Sequence, residues 1–226
     1  TISPEHEIEI KKIFNSLFEK YIKQGWNFEL GFSFQSSSTN TVSVTPENKP
    51  FRDQMGKIIF RPGGHGALLK NLNDLSADIV LIKNIDNIVP DHLREETYKY
   101  KKILGGYLIS LQEKVFSLLN QLGQEITNEV LINQTIEFIK DEFEIDLSEK
   151  LRRKSLAEKQ IYLFNFLNRP IRVCGMVKKE DHPGGSPFWV EGGNGEITKQ
   201  IIETAQVDLS DQNQVKIFNK ATHFNP

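Results

Sequence analysis

Residues 57–83 read KIIFRPGGHGALLKNLNDLSADIVLIK, and the fold prediction starts from this stretch. A short apolar run, Lys57–Phe60, leads into a turn with three glycines, and the leucines that follow recur at helical spacing. Ala77–Lys83 is apolar on both faces at its centre, which is typical of a parallel strand covered by helices. The order strand, helix, strand predicts a βαβ unit with its ligand site at the carboxyl ends of the strands.

The flanking segments extend this interpretation. Ser3 as N-cap, Pro4 at the first helical position and the apolar spacing that follows predict a helix from Pro4 to Lys23. Alternating apolar residues predict a strand over Asn27–Gln35. The pattern from Pro90 to Leu167 is helical and predicts three or four helices. Strand-like segments then return at Ile171–Val177, Pro187–Val190, Lys199–Thr204 and Val215–Asn219.

We therefore predict an α/β fold with a mixed, mainly parallel, Rossmann-like sheet flanked by helices. Residues 1–89 and 170–226 are expected to form its core, and residues 90–169 a helical insertion or subdomain. A chain of 226 residues is long enough for this arrangement.

Composition excludes several classes of protein. A net charge of -2 gives no reason to expect nucleic acid or an anionic membrane as partner. The single cysteine, Cys174, cannot form an internal disulfide, and no apolar run has the length of a membrane span or the flanks of a signal peptide, so we expect a cytoplasmic protein. Zinc-ligand spacing, a nucleophile elbow and complete phosphate-loop or dinucleotide fingerprints are all missing from the sequence.

The glycine turn is the sharpest local motif. Gly63, Gly64, His65 and Gly66 follow a strand and precede a helix, where glycines let the backbone approach a flat ligand and leave N–H groups free to bind it. A base or a phosphate fits such a loop. The alternative is a tight turn that needs a positive φ.

Two charged residues lie at the carboxyl end of the predicted buried strand and just after it. Asp86 lies three residues after Lys83, so its carboxylate could hold Mg²⁺ while the lysine ammonium faces phosphate oxygens. The same two side chains could instead cap the next helix or pair with each other.

The carboxyl-terminal part carries polar and aromatic groups that are typical of sugar sites. Glu203 and Gln206 lie in a strand-like apolar run, where a carboxylate could accept hydrogen bonds from a sugar diol, although a solvent-facing strand residue is the alternative. Gly184–Trp189 and Thr222–Asn225 each combine aromatic rings with hydroxyl or amide groups.

The order of these motifs resembles the eukaryotic-type UDP-sugar pyrophosphorylases, which have a glycosyltransferase-A-like fold. Pro62–Gly66 is similar to their P-x-G-H/N-G uridine-binding loop and Ile85–Asn87 to their V-D-N segment. Ile201–Gln206 is similar to their V-V-E-Y-S-E sugar-binding strand, and Phe218–Phe224 to their G-N-I-x-N-H-F segment. The run 60–91 and the carboxyl-terminal residues resemble, more closely still, an uncharacterised bacterial family of longer proteins.

The resemblance implies a nucleotidyltransferase that binds a nucleoside triphosphate and a sugar phosphate and uses Mg²⁺ on Asp86. It implies that the glycine loop holds the base and that Lys83 contacts phosphate. The residues implied to face the sugar are Glu203, Asn219, Thr222 and His223.

The family's glycine-rich G-x-G-T-R-L-type loop has no counterpart in these 226 residues. We therefore expect this chain to be inactive by itself and the activity to depend on the full-length protein. Two other interpretations stay open: an inactive domain that binds a nucleotide-sugar or a glycan, and a glycosyltransferase in which Ile85–Asn87 replaces the D-x-D metal motif.

Overall fold

A computed structural model describes residues 1–2, 4–27, 29–83, 88–124, 128–179, 184–193, 195 and 197–225, without the side chains of Glu5 and His65. By its internal contacts the chain divides into two compact units, Thr1–Ile82 and Lys83–Pro226. We call these ranges the first unit and the second unit.

The first unit begins with a long helix. A 3-10 turn at Pro4–His6 leads into α1, Glu7–Ile22, which confirms the helix predicted from Pro4 to Lys23. None of the described residues of α1 is buried. Phe14 of α1 contacts Phe32, and their ring centroids lie 6.0 Å apart in an edge-to-face arrangement.

The remainder of the first unit contains a small antiparallel ladder and the glycine turn. The ladder consists of β1, Thr41–Val42, and β2, Phe60–Arg61. A 3-10 turn at His65–Leu68 continues into α2, Leu69–Asn73. The prediction of strand, glycine turn and helix is confirmed here, although the strand is shorter and later than predicted.

The strand predicted over Asn27–Gln35 is wrong, since its described residues form no strand. Two backbone carbonyls of this segment accept hydrogen bonds from groups that do not belong to a neighbouring strand. Ser33 O accepts from the N–H of Ile2, and Phe34 O accepts from Asn71 Nδ2 at 2.8 Å. Alternating apolar residues predict which side chains share a face of a strand. They do not show that a neighbouring strand is present, and a strand forms only when its backbone can bond to such a neighbour.

The buried parallel strand predicted over Ala77–Lys83 is also wrong. These residues form no strand, and Leu81 and Ile82 are each 71% exposed. A short apolar run indicates burial only if layers cover both of its faces. The βαβ unit expected from residues 57–83 is therefore not formed by the described residues.

Helices dominate the second unit. A 3-10 turn at Asp91–Leu93 precedes α3, Arg94–Leu122, which is followed by α4, Glu129–Phe143, α5, Ser148–Leu151, and α6, Leu156–Leu167. The helical prediction for residues 90–167 is confirmed. Within the described ranges, no helix is both long and apolar enough to cross a membrane.

The core of the second unit lies where one apolar face of each helix meets the others. Ile139 and Leu163 are completely buried at the centre of this cluster. The other buried members are Val115, Leu122, Leu131, Ile132, Leu147, Leu151 and Leu167. Only the carboxyl-terminal half of α3 contributes to it, because Val115 and Leu122 lie beyond the midpoint of that helix.

Polar side chains determine where these helices begin and end. Asn128 accepts a hydrogen bond from a backbone N–H of the first turn of α4. Ser155 and Glu158 form a capping box at the start of α6. At the end of α3, Gln160 Nε2 donates to the carbonyl of Leu122 at 2.6 Å. These caps bond backbone groups that a helix leaves unpaired at its ends.

A polar contact also joins α3 to α4. Lys114 Nζ and Tyr107 Oη donate to the two oxygens of Glu142 at 2.7 and 2.9 Å. These hydrogen bonds, from Lys114 first and then Tyr107, lower the pKa of the Glu142 carboxyl. The contact therefore stabilises the fold above the carboxyl's unfolded-state pKa, and its contribution is lost as the pH falls through the lowered value.

Two antiparallel strand pairs follow the helices. β3, Val177–Lys178, pairs with β6, His223–Phe224, while β4, Ser186–Glu191, pairs with β5, Ile197–Ile202. The strand predicted at Pro187–Val190 is confirmed. The strand predicted at Lys199–Thr204 is confirmed only as far as residue 202.

The strand predicted over Val215–Asn219 is wrong, because this segment belongs to α7, Gln212–Phe218, and its cap. The cause is an N-cap: Asp211 Oδ1 accepts from the N–H groups of Asn213 and Gln214 at 2.8 and 3.4 Å. Of the strand predicted over Ile171–Val177, only the last residue lies in a strand.

All strand pairs among the described residues are antiparallel. The glycosyltransferase-A-like, mainly parallel sheet stays a prediction, as does the division into a core of residues 1–89 and 170–226 with an inserted helical segment. Residues 90–169 and 170–226 both belong to the second unit.

We expect Ile139→Ala to lower the free energy of unfolding by about 2–5 kcal/mol, because the change leaves a cavity in the helical core. Urea unfolding of the full chain, followed by circular dichroism, measures this difference. Val130→Ala on the same helix is the control, since Val130 is 64% exposed and its truncation should cost well under about 1 kcal/mol. Equal effects of the two substitutions would contradict this assignment of the core.

Candidate functional site

The glycine loop lies between β2 and the turn that precedes α2, and Gly63 is its packed member. A Cβ at Gly63 would lie 2.8 Å from Thr39 O and 3.1 Å from Ala67 Cβ. It would also crowd Gln35 Nε2, whose hydrogen bond to Thr39 Oγ1 holds the neighbouring loop. Packing therefore explains the glycine at this position without any ligand.

Packing does not explain Gly64 and Gly66. A Cβ at either position would meet no atom within 4 Å, and both residues are exposed. Gly64 has an ordinary φ of -70°, so the alternative of a turn that needs a positive φ is wrong here. Among the described residues, nothing accepts a hydrogen bond from the N–H of Gly64 or Gly66. Their backbone is open to close approach by a flat or anionic group.

The remaining members of the first predicted site are only partly described. His65 begins the 3-10 turn through its backbone, and its side chain lies outside the described structure. Asp86 lies outside the described residues, together with Asn84, Ile85 and Asn87. Lys83 is the first residue of the second unit and is exposed.

Two predicted sugar-binding residues, Thr222 and His223, line an open groove in the second unit with a volume of about 430 Å³. We call it the C-terminal groove. Strand pairing positions its wall, because β6 lies beside β3 with His223 opposite Lys178, and Lys179 N–H donates to Thr222 O at 2.9 Å. The lining residues are Met176, Pro187, Phe188, Ile217, Lys220, Ala221, Thr222 and His223.

A buried aromatic ring anchors this wall. Phe224 is 8% exposed, and a Cβ at Gly184 would lie 2.5 Å from its ring, so only glycine fits there. Asn225 then fixes the chain end by donating from Nδ2 to Gly175 O at 2.7 Å and from its N–H to Gly185 O at 2.8 Å. The packing of Phe224 and the hydrogen bonds of Asn225 therefore fix the backbone that follows Thr222 and His223.

The C-terminal groove combines an apolar surface with cationic and hydroxyl groups. The cation of the lining is Lys220. Phe188 of the lining stacks on Phe218, which is not a lining residue, with ring centroids 5.6 Å apart, and Lys179 Nζ lies 5.2 Å from the Phe218 centroid. Thr222 Oγ1 and His223 Nδ1 share a hydrogen bond of 2.9 Å. Apolar walls with a few polar groups are the usual composition of small-molecule sites. A ring-bearing anion fits this chemistry.

The other two predicted sugar-binding residues are not part of the lining. Glu203 follows β5 and begins a 3-10 turn, in which its side chain and that of Gln206 form a reciprocal capping box. The prediction that Glu203 lies in a strand is therefore wrong. Asn219 is the C-cap of α7, directly before Lys220 of the groove. The structure brings together Thr222 and His223, and it gives Glu203 a capping role.

Sequence reasoning found some groove residues and missed others. Phe188 belongs to the Gly184–Trp189 segment whose aromatic and hydroxyl groups indicated a sugar site. Lys220 was missed, because a lysine in a polar stretch carries no signal of its own. Recognition of Asp211 as an N-cap would have predicted the helix Gln212–Phe218 and placed Lys220 just after its end.

The predicted magnesium site cannot be assembled from the described residues alone. No group of three or more His, Cys, Asp or Glu side chains that could hold a metal ion occurs in the described part of the chain. Magnesium sites often use only one or two carboxylates together with substrate phosphates and water. A single carboxylate such as Asp86 is compatible with that pattern.

Comparison with protein-family models assigns this chain to a family. The model of the family described as Domain of unknown function (DUF4301) matches residues 1–226, so the chain belongs to that family. This confirms the resemblance to an uncharacterised family, while the likeness to pyrophosphorylases stays a prediction. Neither the curated proteins nor the solved structures contain a match.

We expect Gly63→Ala to lower the melting temperature of the chain and Gly64→Ala to leave it unchanged or raise it slightly. The added methyl group at Gly63 collides with a backbone carbonyl, at a cost of about 1–3 kcal/mol. At Gly64 it meets open space and reduces the entropy of the unfolded chain, a gain of up to about 1 kcal/mol. Differential scanning fluorimetry of both variants measures the contrast, and a larger loss for Gly64→Ala would overturn it.

Proposed function

We propose that this chain is a nucleotidyltransferase-like domain that binds a nucleotide-sugar, or a nucleoside triphosphate with a sugar phosphate. The observation that carries the proposal is the C-terminal groove, where Thr222, His223, Lys220 and the Phe188 ring line one open cavity. The hydroxyl and imidazole suit a sugar, the lysine suits a phosphate, and the ring offers a surface on which a sugar or base can stack.

The glycine loop supports the nucleotide part of the proposal. Gly64 and Gly66 have unhindered, exposed backbone, whereas Gly63 is required by packing. We assign Gly64, His65 and Gly66 to base recognition and regard Gly63 as the residue that holds the loop in place. This division refines the predicted nucleotide-binding set.

For the full-length protein we propose that a phosphate oxygen of a sugar 1-phosphate attacks the α-phosphate of a nucleoside triphosphate, which forms the NDP-sugar and breaks the bond from the α-phosphorus to the bridging oxygen, with pyrophosphate as the leaving group. Such chemistry depends mainly on alignment and on neutralising charge. Lys83 would contact phosphate, and Asp86 would hold Mg²⁺, which supplies charge neutralisation when bound. Glu203 and Asn219 stay proposed sugar contacts, although neither lines the C-terminal groove.

A second candidate is a domain that binds a nucleotide-sugar or glycan without catalysis. The observation that favours it is the lack of a G-x-G-T-R-L-type loop within these 226 residues. Both candidates require the same ligand to bind, so a binding measurement tests what they share. Release of pyrophosphate by the full-length protein separates them.

We expect Lys220→Met to weaken nucleotide-sugar binding by about tenfold or more, because a charged hydrogen bond to phosphate is worth about 1.5–3 kcal/mol. Isothermal titration calorimetry with a panel of NDP-sugars and Mg²⁺ measures the dissociation constants. Lys216→Met is the matched control: it removes the same charge from an exposed residue of α7 that is not part of the groove lining.

Two results would contradict the proposal. One is that no NDP-sugar in the panel binds to the wild-type chain. The other is that Lys216→Met and Lys220→Met weaken binding equally, which would indicate general electrostatic attraction and no specific groove contact.

A further inference from the structure

The polar side chains that line the C-terminal groove are rich in hydrogen-bond donors. They are Lys220, Thr222 and His223, and among the described residues of the lining none is Asp, Glu, Asn or Gln. The Lys220 ammonium can only donate. Thr222 Oγ1 and His223 Nδ1 share a hydrogen bond of 2.9 Å, which leaves the imidazole Nε2 to bind a ligand. The lining therefore contains no carboxylate or side-chain amide oxygen that could accept a hydrogen bond from a ligand.

A further cation lies beside this wall of the groove. Lys178 of β3 is directly opposite His223 of β6, and opposite residues of an antiparallel pair extend from the same face. Both side chains are exposed. Within the described part of the chain, no carboxylate forms an ion pair with Lys178 or Lys220. These two positive charges are therefore available to an anion from solution.

Such a set of donors discriminates between the groups that a sugar can carry. A neutral hydroxymethyl group both donates and accepts, so its hydroxyl hydrogen stays unpaired where side-chain acceptors are missing. An ionised carboxylate only accepts, and its hydrogen bonds to cations are about twice as strong as those between neutral groups. The Phe188 ring adds an apolar surface for the sugar ring.

We propose that the C-terminal groove selects an acidic sugar, a uronic acid, through its carboxylate. Nε2–H of His223 and the Lys178 ammonium bind the carboxylate oxygens, and the Thr222 hydroxyl orients the imidazole by donating to Nδ1. Lys220 remains for the phosphate. An acidic sugar in the groove does not require a nucleotide, but its place within a nucleotide-sugar rests on the proposed function.

Two pairs of ligands, each differing in one carboxylate, test this selectivity on the full chain. UDP-glucuronate and UDP-glucose share the nucleotide, whereas para-nitrophenyl β-D-glucuronide and para-nitrophenyl β-D-glucoside carry an aromatic ring and no nucleotide. Calorimetry and ligand-observed NMR measure the dissociation constants. We expect each acidic ligand to bind about tenfold or more tightly than its neutral partner, because charge-assisted hydrogen bonds replace an unpaired hydroxyl.

His223→Phe keeps an aromatic ring at this position and removes its donor. The acidic ligand should lose about tenfold in affinity and the neutral ligand less than about twofold, so the ratio of their affinities falls. His92→Phe is the matched control, since it removes an exposed imidazole from the 3-10 turn at Asp91–Leu93 and should leave the ratio unchanged. The ratio is measured within one variant, so a misfolded fraction does not alter it.

Lys178→Met is a second variant, which removes the neighbouring charge without changing a lining residue. It should lower the same ratio by about threefold, the range of an exposed ion pair. Lys216→Met removes the charge of an exposed lysine on α7 that is not part of the lining, and the ratio should not change.

The two ligand pairs separate this proposal from the proposed function. Selective binding of the aryl glucuronide that depends on His223, without binding of any NDP-sugar, supports the acidic-sugar proposal and contradicts the proposed function. NDP-sugar binding with no preference for the carboxylate contradicts the acidic-sugar proposal and leaves the proposed function standing. Binding of none of the four ligands, or an affinity ratio unchanged by both His223→Phe and Lys178→Met, would also overturn the acidic-sugar proposal.

Discussion

The packing of α3 against α4 and α6 is the interaction on which the second unit depends. Ile132, Ile139 and Leu163 are essentially excluded from solvent there, and the described residues of the first unit include none that is as buried. Since α3 is 29 residues long and only its carboxyl-terminal half enters the core, the other half carries its side chains outside it.

A second, smaller constraint acts on the C-terminal groove. Phe224 fills the space that only a glycine at residue 184 leaves open, and the strand pair β3–β6 then sets the direction of Thr222 and His223. Polar groups attached to a rigid backbone bind a ligand with less loss of entropy than groups on a mobile loop. The groove therefore has the rigid support that a binding site requires.

The sequence predicted helices well and strands poorly, for a physical reason. A helix bonds its own backbone, so the helical spacing of apolar residues was enough to predict three or four helices over residues 90–167. A strand needs a partner that local pattern does not reveal, which is why Asn27–Gln35 and Ala77–Lys83 were predicted wrongly. In α7 the Asp211 cap outweighed an apolar pattern that is ambiguous over five residues.

The candidate sites follow the same logic. The order of the motifs was enough to select Thr222 and His223 as candidate sugar contacts. It could not distinguish Gly63, which packing requires, from Gly64 and Gly66, which have open backbone. That difference depends on whether Thr39 or open space lies beside each glycine.

Hydrogen exchange measured by mass spectrometry is the direct test of the proposal that the C-terminal groove binds a nucleotide-sugar. The full chain is compared with and without a saturating NDP-sugar and Mg²⁺. If the ligand binds in the groove, exchange slows in peptides that cover residues 176–179 and 217–225 and stays unchanged in α4 and α6. Saturating ligand that leaves those peptides unchanged, or that protects only the helical core, would contradict it.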